Sequence, residues 1–267
     1  HSGMDIHLER GNANKIMNRL IYNASAFGLR IVEINGGSLR NAIPRESFAT
    51  IVVADEGFLK QFETIAQEIK NEFLLSDSKL TISIEPTSLP SHTVSKEDTA
   101  KITTAIYGVF NSVYRMSTAI KGLVETSSSL ARVIVKDGVF KTQSLQRSSV
   151  ESSKIDVAQT VGAMFKMMGC VVEHTGSYPG WAPNPNSKVL GIMEKLYIEM
   201  YNEDPKIKAC HAGLECGILN ERYPGLDMVS FGPTIRNPHS PDEMVNIASV
   251  QKFWQFLCAV LKNTPAK

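Results

Sequence analysis

The stretch ARVIVKDGVFKTQSLQR, residues 131–147, limits the fold of this chain more than any other. β-branched residues flank Asp137-Gly138, a dipeptide that accepts the two positive φ angles of a tight hairpin turn. Two strands and that turn commit the middle of the chain to an antiparallel sheet. What precedes and follows must then cover the sheet.

The periodicity on either side supplies the cover. Residues 11–27 carry Ile16, Leu20 and Ile21 at helical spacing. LRIVEINGG (29–37) reads as a strand ending at a glycine pair, RNAIPRE (40–46) as a connection and SFATIVVA (47–54) as a strand. A helix over 56–73 and a strand KLTISIEP (79–86) follow. Supplied with a first strand, this is the order of a ferredoxin-like βαββαβ unit. The order then recurs without sequence identity: a helix over 97–116, the hairpin, a helix over 153–169 and a strand CVVEHTG. The expected class is therefore α/β (α+β), with a ferredoxin-like unit present once or doubled in pattern.

GSYPGWAPNPNS (176–187) is a proline- and glycine-rich boundary. Beyond it the pattern predicts a helix over 187–202, a short strand near IKAC, a loop HAGLECG, a strand LDMVSFG and a last helix to Val260. Two or three strands and two helices are too few to close an independent α/β core. The chain also begins HSGMDIHLERGNANKIM, without an initiator methionine, which fits a processed chain or a piece of something longer.

Charge and apolar runs exclude several partner classes. A formal net charge of +1 gives no electrostatic case for nucleic acid or an acidic membrane. The longest apolar run, VGAMFKMMGCVV (161–172), is too short to span a bilayer and contains Lys166. No signal peptide opens the chain, and Cys170, Cys210, Cys216 and Cys258 lack CxxC spacing, as reduced thiols of a cytoplasmic protein do.

Chemistry concentrates in three polar clusters: HSG at the start, LRNAIPRE, and the region from HAGLECG to NPHSPDE. In the last, Ser240, Pro241 and Glu243 read as N-cap, first helical residue and capping-box acid. His239 then stands between Pro238 and Pro241 just ahead of a helix, a rigid neutral imidazole of the kind a metal takes, or else a loop histidine that caps the helix. HAGLECG offers His211, Glu215 or Cys216 at no standard zinc spacing; its other reading is a glycine-flanked turn, with Glu215 the functional candidate. No HExxH, GxSxG, P-loop or GxGxxG occurs.

Together, HSGMDIHLERGNANK, RNAIPRE, SLQRSS, HTGSYPGWAPNP, HAGLECG and GPTIRNPHSPDE resemble the aminoacyl-histidine (Xaa-His) dipeptidases of the zinc-dependent carnosinase and carboxypeptidase clan. The resemblance covers almost the whole chain, with its motifs in order. It implies that residues 1–180 form a lid and dimerisation domain, and that 181–267 are the C-terminal part of a zinc-peptidase catalytic domain whose first half lies upstream.

The resemblance also assigns roles. His239 matches the C-terminal metal ligand, and His1 the lid histidine that stabilises the oxyanion, in related dimers at the neighbouring subunit's site. Asn41 matches the lid asparagine that contacts substrate; alone it would read as a turn residue. Arg147 resembles the arginine that pairs with the substrate's C-terminal carboxylate, which its forked donors suit, with Arg40 and Arg45 as competitors. Glu215 lies where the family's substrate loop runs and could receive the dipeptide's ammonium; His7, His174 and His211 receive no role. The HxD motif, the bridging aspartate and the Glu-Glu pair of the family are absent here.

The implied cofactor is a pair of zinc ions, with manganese or cobalt as alternatives, activating a water for attack on a peptide carbonyl. The implied substrate is a dipeptide, Xaa-His among others, and the implied assembly a homodimer through the lid. The competing expectation is a lid or dimerisation module without catalysis, and on either reading the chain by itself is expected to be inactive.

Overall fold

The computed structural model describes residues 1–55, 57–118, 120–184, 186–209, 215–238 and 242–264. They fall into two compact units, the first His1–Ser177 and the second Tyr178–Ala209 with the described residues from 215 onward.

The first unit is built on the hairpin. Strands β4 (Val124–Lys136) and β5 (Val139–Ser148) pair from Lys136–Val139 back to Thr126–Ser148, with one bulge between Leu130 and Arg132. Asp137 and Gly138 take φ of 51° and 75°, the successive positive angles of a tight turn. The length of β4 organises the rest. On its other side, β3 (Ser112–Met116) pairs with the first half and β1 (Arg30–Gly36) with the second. Strand β2 (Ser47–Val52) pairs with β1, and every pairing is antiparallel. The two rounds of elements therefore share one five-stranded sheet rather than forming two.

Helices α1 (Ala13–Asn23), α3 (Lys96–Gly108) and α4 (Glu151–Met167) cover the sheet. Ile31, Ile34, Leu130, Val133 and Val135 from the strands meet Ile21, Ile102, Ile106, Val161 and Phe165 from those helices. Complete burial of a side chain such as Ile31 or Leu130 stabilises by roughly 1.5–3 kcal/mol. Helix α2 (Phe58–Glu72) packs outside α1, closing a second cluster of Ile16, Leu20, Ile65 and Ile69.

The glycine pair ending β1 is a steric requirement. A Cβ on Gly36 would lie 1.8 Å from Asn14 Oδ1. One on Gly37, whose φ is +72°, would lie 1.9 Å from the Ala131 carbonyl oxygen. The backbone of β1 thus runs directly against α1 and β4, which only glycine permits.

Several expected elements differ. KLTISIEP is not a strand: it has no ladder partner, and Leu80 and Ile82 instead pack against the α1–α2 cluster. CVVEHTG is likewise irregular, with Cys170 and Val172 resting on the main core. The helix expected over 97–116 stops at Gly108, and its last residues become β3. Lys15 accounts for the stop, because its Nζ donates to the carbonyls of Ile106, Tyr107 and Val109 at 2.7, 2.8 and 2.9 Å. Those groups have no partner within the helix, and the ammonium supplies one.

The second unit contains α5 (Lys188–Tyr201), α6 (Glu215–Arg222), a two-residue pair of β6 (Ile235–Arg236) and β7 (Met244–Val245), and α7 (Ile247–Lys262). The strands expected near IKAC and at LDMVSFG are irregular at their described residues. Tyr197 and Tyr201 pack on Phe256, and Lys252 Nζ lies over both tyrosine rings while pairing with Glu203. Asp227 accepts the Val189 N–H at 3.0 Å at the start of α5, and hydrogen bonds from Ser187 and that backbone hold its carboxyl below the usual range. Of the unit's apolar side chains only Met193 and Phe256 are buried among the described residues, whereas Ile247, Trp254 and Leu261 of α7 stay exposed.

The last helix begins later than its capping pattern predicts. It starts at Ile247, where Asn246 accepts the Ser249 N–H at 2.9 Å, and the described Asp242 and Glu243 are not helical, whereas Ser240 and Pro241 lie outside the described residues. Met244 and Val245 pair with Ile235 and Arg236 instead, which holds the chain extended until Asn246.

Candidate functional site

Two of the residues singled out by sequence, Asn41 and Arg147, are joined in the first unit through Ser2, the residue after His1. Ser2, 1% exposed, donates from both its backbone N–H and its hydroxyl to the carbonyl of Asn41, each at 3.0 Å. The Nε of Arg147 donates to the same hydroxyl oxygen at 3.4 Å. The start of the chain, the RNAIP turn and the end of β5 are thereby tied at one point.

Local physics places each group. Arg147 sits on β5 opposite Ser127 of β4. That half of β4 is polar yet sealed: Thr126, Ser127, Ser128 and Ser129 are all buried. Buried hydroxyls need partners. Thr126 Oγ1 lies 2.8 Å from the hydroxyls of both Ser148 and Ser153, and Gln146 Nε2 donates to Ser128 at 3.1 Å. Arg147 is 5% exposed within this polar end of the sheet. A guanidinium so placed is costly without oxygen acceptors, and the Ser2 hydroxyl supplies one. Asn41 is half-buried, in a turn closed by the Ala42 N–H on the Leu39 carbonyl at 3.2 Å.

His1 follows from its own turn. The N–H groups of Met4 and Asp5 donate to the His1 carbonyl at 3.1 and 2.8 Å, and the Gly3 N–H donates to His1 Nδ1 at 3.1 Å. An imidazole accepting at Nδ1 carries its hydrogen on Nε2 when neutral. This tautomer is a hydrogen-bond donor, as stabilisation of an oxyanion demands.

The competing arginines lie differently. Arg40 and Arg45 are exposed, and the Arg40 guanidinium passes beside Gly176 of the HTG segment. A cavity of about 370 Å³ opens nearby, lined by Arg10, Lys15, Ile43 and Asn111 among others, but not by His1, Asn41 or Arg147.

Glu215 belongs to the second unit. It is exposed and is the first residue of α6, so this part of HAGLECG is helical rather than a loop, and a carboxylate in a first turn suits the helix dipole. Gly217 lies against the Pro179 carbonyl, where a Cβ would come within 2.6 Å. Burial, reinforced by the Glu215 charge, pushes the Cys216 thiol up and keeps it protonated. His239 and His211 lie outside the described residues. Among the described residues, no three His, Cys, Asp or Glu side chains converge as a metal site would require.

Sequence reasoning took the histidine from HSG and passed over Ser2. A short polar residue before a glycine carries no periodic signal, and only the fold shows that it is sealed between two distant segments.

Comparison with known proteins brings the motifs together. The profile of the peptidase family M20/M25/M40 matches residues 24–263. The chain is 40% identical over its whole length to the cytosol non-specific dipeptidase of Escherichia coli strain K12, spanning 56% of that protein. It superposes over its whole length on the crystal structure of aminoacylhistidine dipeptidase from Vibrio alginolyticus with a TM-score of 0.86 and 38% identity, spanning 55% of that chain. The chain thus spans little more than half the length of these relatives.

Proposed function

This chain belongs to the peptidase family M20/M25/M40, and from that premise we propose that it is the substrate-holding lid and C-terminal portion of a dipeptidase acting on Xaa-His and other dipeptides. The observation that carries the reading is the tie at Ser2, whose hydroxyl joins the Asn41 backbone carbonyl to Arg147 Nε at the residue after His1. It brings the backbone of the Asn41 turn and the Arg147 side chain to one residue at the start of the chain. The names of the two relatives support the substrate class.

In this reading residues 1–180 are the lid and 181–267 the end of the catalytic domain. Arg147 holds the dipeptide's C-terminal carboxylate and Asn41 its peptide end, so that a longer peptide has no room beyond them. Paired guanidinium donors suit a carboxylate in direction as well as charge. His1 donates from Nε2 to the oxygen of the scissile carbonyl as negative charge develops there. Glu215 takes the substrate's ammonium.

The family resemblance implies zinc. The described residues alone do not fit a zinc pair, so no step is assigned through the metal. His239 is the proposed ligand. The remaining donors would come from polypeptide outside this chain, a reading supported by the greater length of both relatives.

We also place the protein in the cytoplasm, on the name of the Escherichia coli relative. None of the described helices is long and apolar enough to cross a membrane. A homodimer through the lid would use the outer edge of β2, which pairs with β1 on one side and carries an exposed Phe48.

The test is hydrolysis of glycyl- or β-alanyl-histidine by the natural full-length protein and by the 267-residue chain, each with and without added zinc. Zinc-dependent turnover by the former alone is expected. Absence of dipeptide cleavage by the full-length protein overturns the reading, and zinc-dependent cleavage by the 267-residue chain overturns the assignment of the remaining donors.

A further inference from the structure

We propose that the first unit carries a second small-molecule site: a cavity that takes a free amino acid with an apolar side chain, its carboxylate on Arg10 and its ammonium on Glu9. The site is formed without His1, Asn41 or Arg147 and goes beyond the dipeptidase reading.

The cavity, of about 370 Å³, lies against the place where the sheet divides. Strand β4 pairs with β3 as far as Ser128 and with β1 from Val133 onward. In the interval two side chains replace a strand. The Leu130 N–H donates to Asn111 Oδ1 at 2.9 Å, and the Leu130 carbonyl accepts from Asn12 Nδ2 at 3.0 Å. The same Asn12 amide donates to Asn111 Oδ1 at 2.9 Å. Both asparagines line the cavity, so part of its wall is braced before a ligand arrives, which lowers the cost of binding.

The charges on the wall select the ligand. Five charged side chains line the cavity, and three are already satisfied. Arg19 holds Glu72 with two bonds of 2.6 and 2.8 Å. Lys15 gives its ammonium to three carbonyls at the end of α3. Among the described residues, the Arg10 guanidinium and the Glu9 carboxylate have no hydrogen bond or ion pair. An unpaired cation beside an unpaired anion suits a zwitterion, because a simple anion or cation would face a like charge. The rest of the wall includes Ile6 and Ile16, both buried, with Ile43 and Phe73. Apolar walls with a few polar groups are the usual form of a small-molecule site. An apolar amino acid with both ends unblocked meets the cation, the anion and the apolar wall together. Under the dipeptidase reading it is also the class of molecule that the reaction releases.

The experiment is a calorimetric titration of the natural full-length protein with L-leucine, with isocaproate, which lacks the ammonium, and with L-leucinamide, which lacks the carboxylate. Wild type, Arg10→Gln and Glu9→Gln are compared; both residues are exposed, so neither substitution disturbs a core. Leucine should bind wild type with a dissociation constant on the order of 1 mM, since each exposed ion pair contributes little. Each substitution should weaken leucine about fivefold or more. Glu9→Gln should leave isocaproate unchanged and Arg10→Gln should leave L-leucinamide unchanged, because each probe lacks the group that the substituted residue receives.

No binding of leucine overturns the proposal. So does binding that both substitutions leave unchanged, which places leucine elsewhere, the catalytic centre included. Isocaproate that binds as tightly as leucine, with Glu9→Gln without effect on leucine, makes the cavity a plain anion site and overturns the amino-acid assignment. The titration reads binding rather than turnover. Absence of dipeptide cleavage therefore removes the dipeptidase reading and leaves this proposal to its own result.

Discussion

Arg147 Nε lies 3.4 Å from Ser2 Oγ, across 145 residues of chain. That contact joins the end of the central hairpin to the HSG segment and brings two separate motifs together. Arg147, only 5% exposed as a residue, is held by its surroundings.

Gly37→Ala should be among the most damaging single substitutions in the first unit. Its Cβ would come 1.9 Å from the Ala131 carbonyl oxygen in a backbone already at φ +72°. A loss of more than about 2 kcal/mol is expected, because strain and collision add. Urea unfolding of wild type and variant measures it, and a change below half that size would show that β1 and β4 can separate without cost.

Burial pushes the Lys15 ammonium down to about 8. The sign follows from linkage. Between pH 8 and the ordinary lysine value of about 10.4 the unfolded chain keeps a proton that the folded chain releases, so this residue's contribution rises with pH across that window. Lys15→Met removes the slope. The difference in unfolding free energy between wild type and Lys15→Met, followed from pH 7.5 to 10.5, should move in favour of wild type as pH rises, and a flat difference would contradict the assignment.

His1→Ala should lower kcat on glycyl-histidine by about 10²-fold while leaving KM within a few-fold, the size expected for loss of one oxyanion donor. The geometry behind this is the Gly3 N–H on His1 Nδ1, which directs the ring hydrogen to Nε2. An effect confined to KM in the natural full-length protein would instead make His1 a binding group.

Much of the first unit was legible because its signals are local. Asp137-Gly138 marks the hairpin and Gly36-Gly37 marks the end of β1, since each depends on backbone angles or clearance that few residues allow. Sequence failed where partners at a distance decide. The 79–86 segment has strand-like alternation, but Leu80 and Ile82 found helices rather than a strand to pair with. The Ser240–Glu243 pattern has cap chemistry, yet the pairing of Met244 and Val245 moved the helix start to Asn246. Of the site, the charged and amide side chains were named from motifs. Ser2 was not, because its role is a matter of burial between segments that sequence does not bring together.

The most direct test of the account compares free and C-terminally amidated glycyl-histidine in the natural full-length protein, with Arg147 intact and with Arg147→Ala. Wild type should prefer the free carboxylate by roughly 10–100-fold in kcat/KM, the worth of one charge-assisted pair, and Arg147→Ala should abolish that preference mainly through KM. Retention of the full preference by Arg147→Ala would contradict the assignment and move carboxylate recognition away from the Ser2 junction.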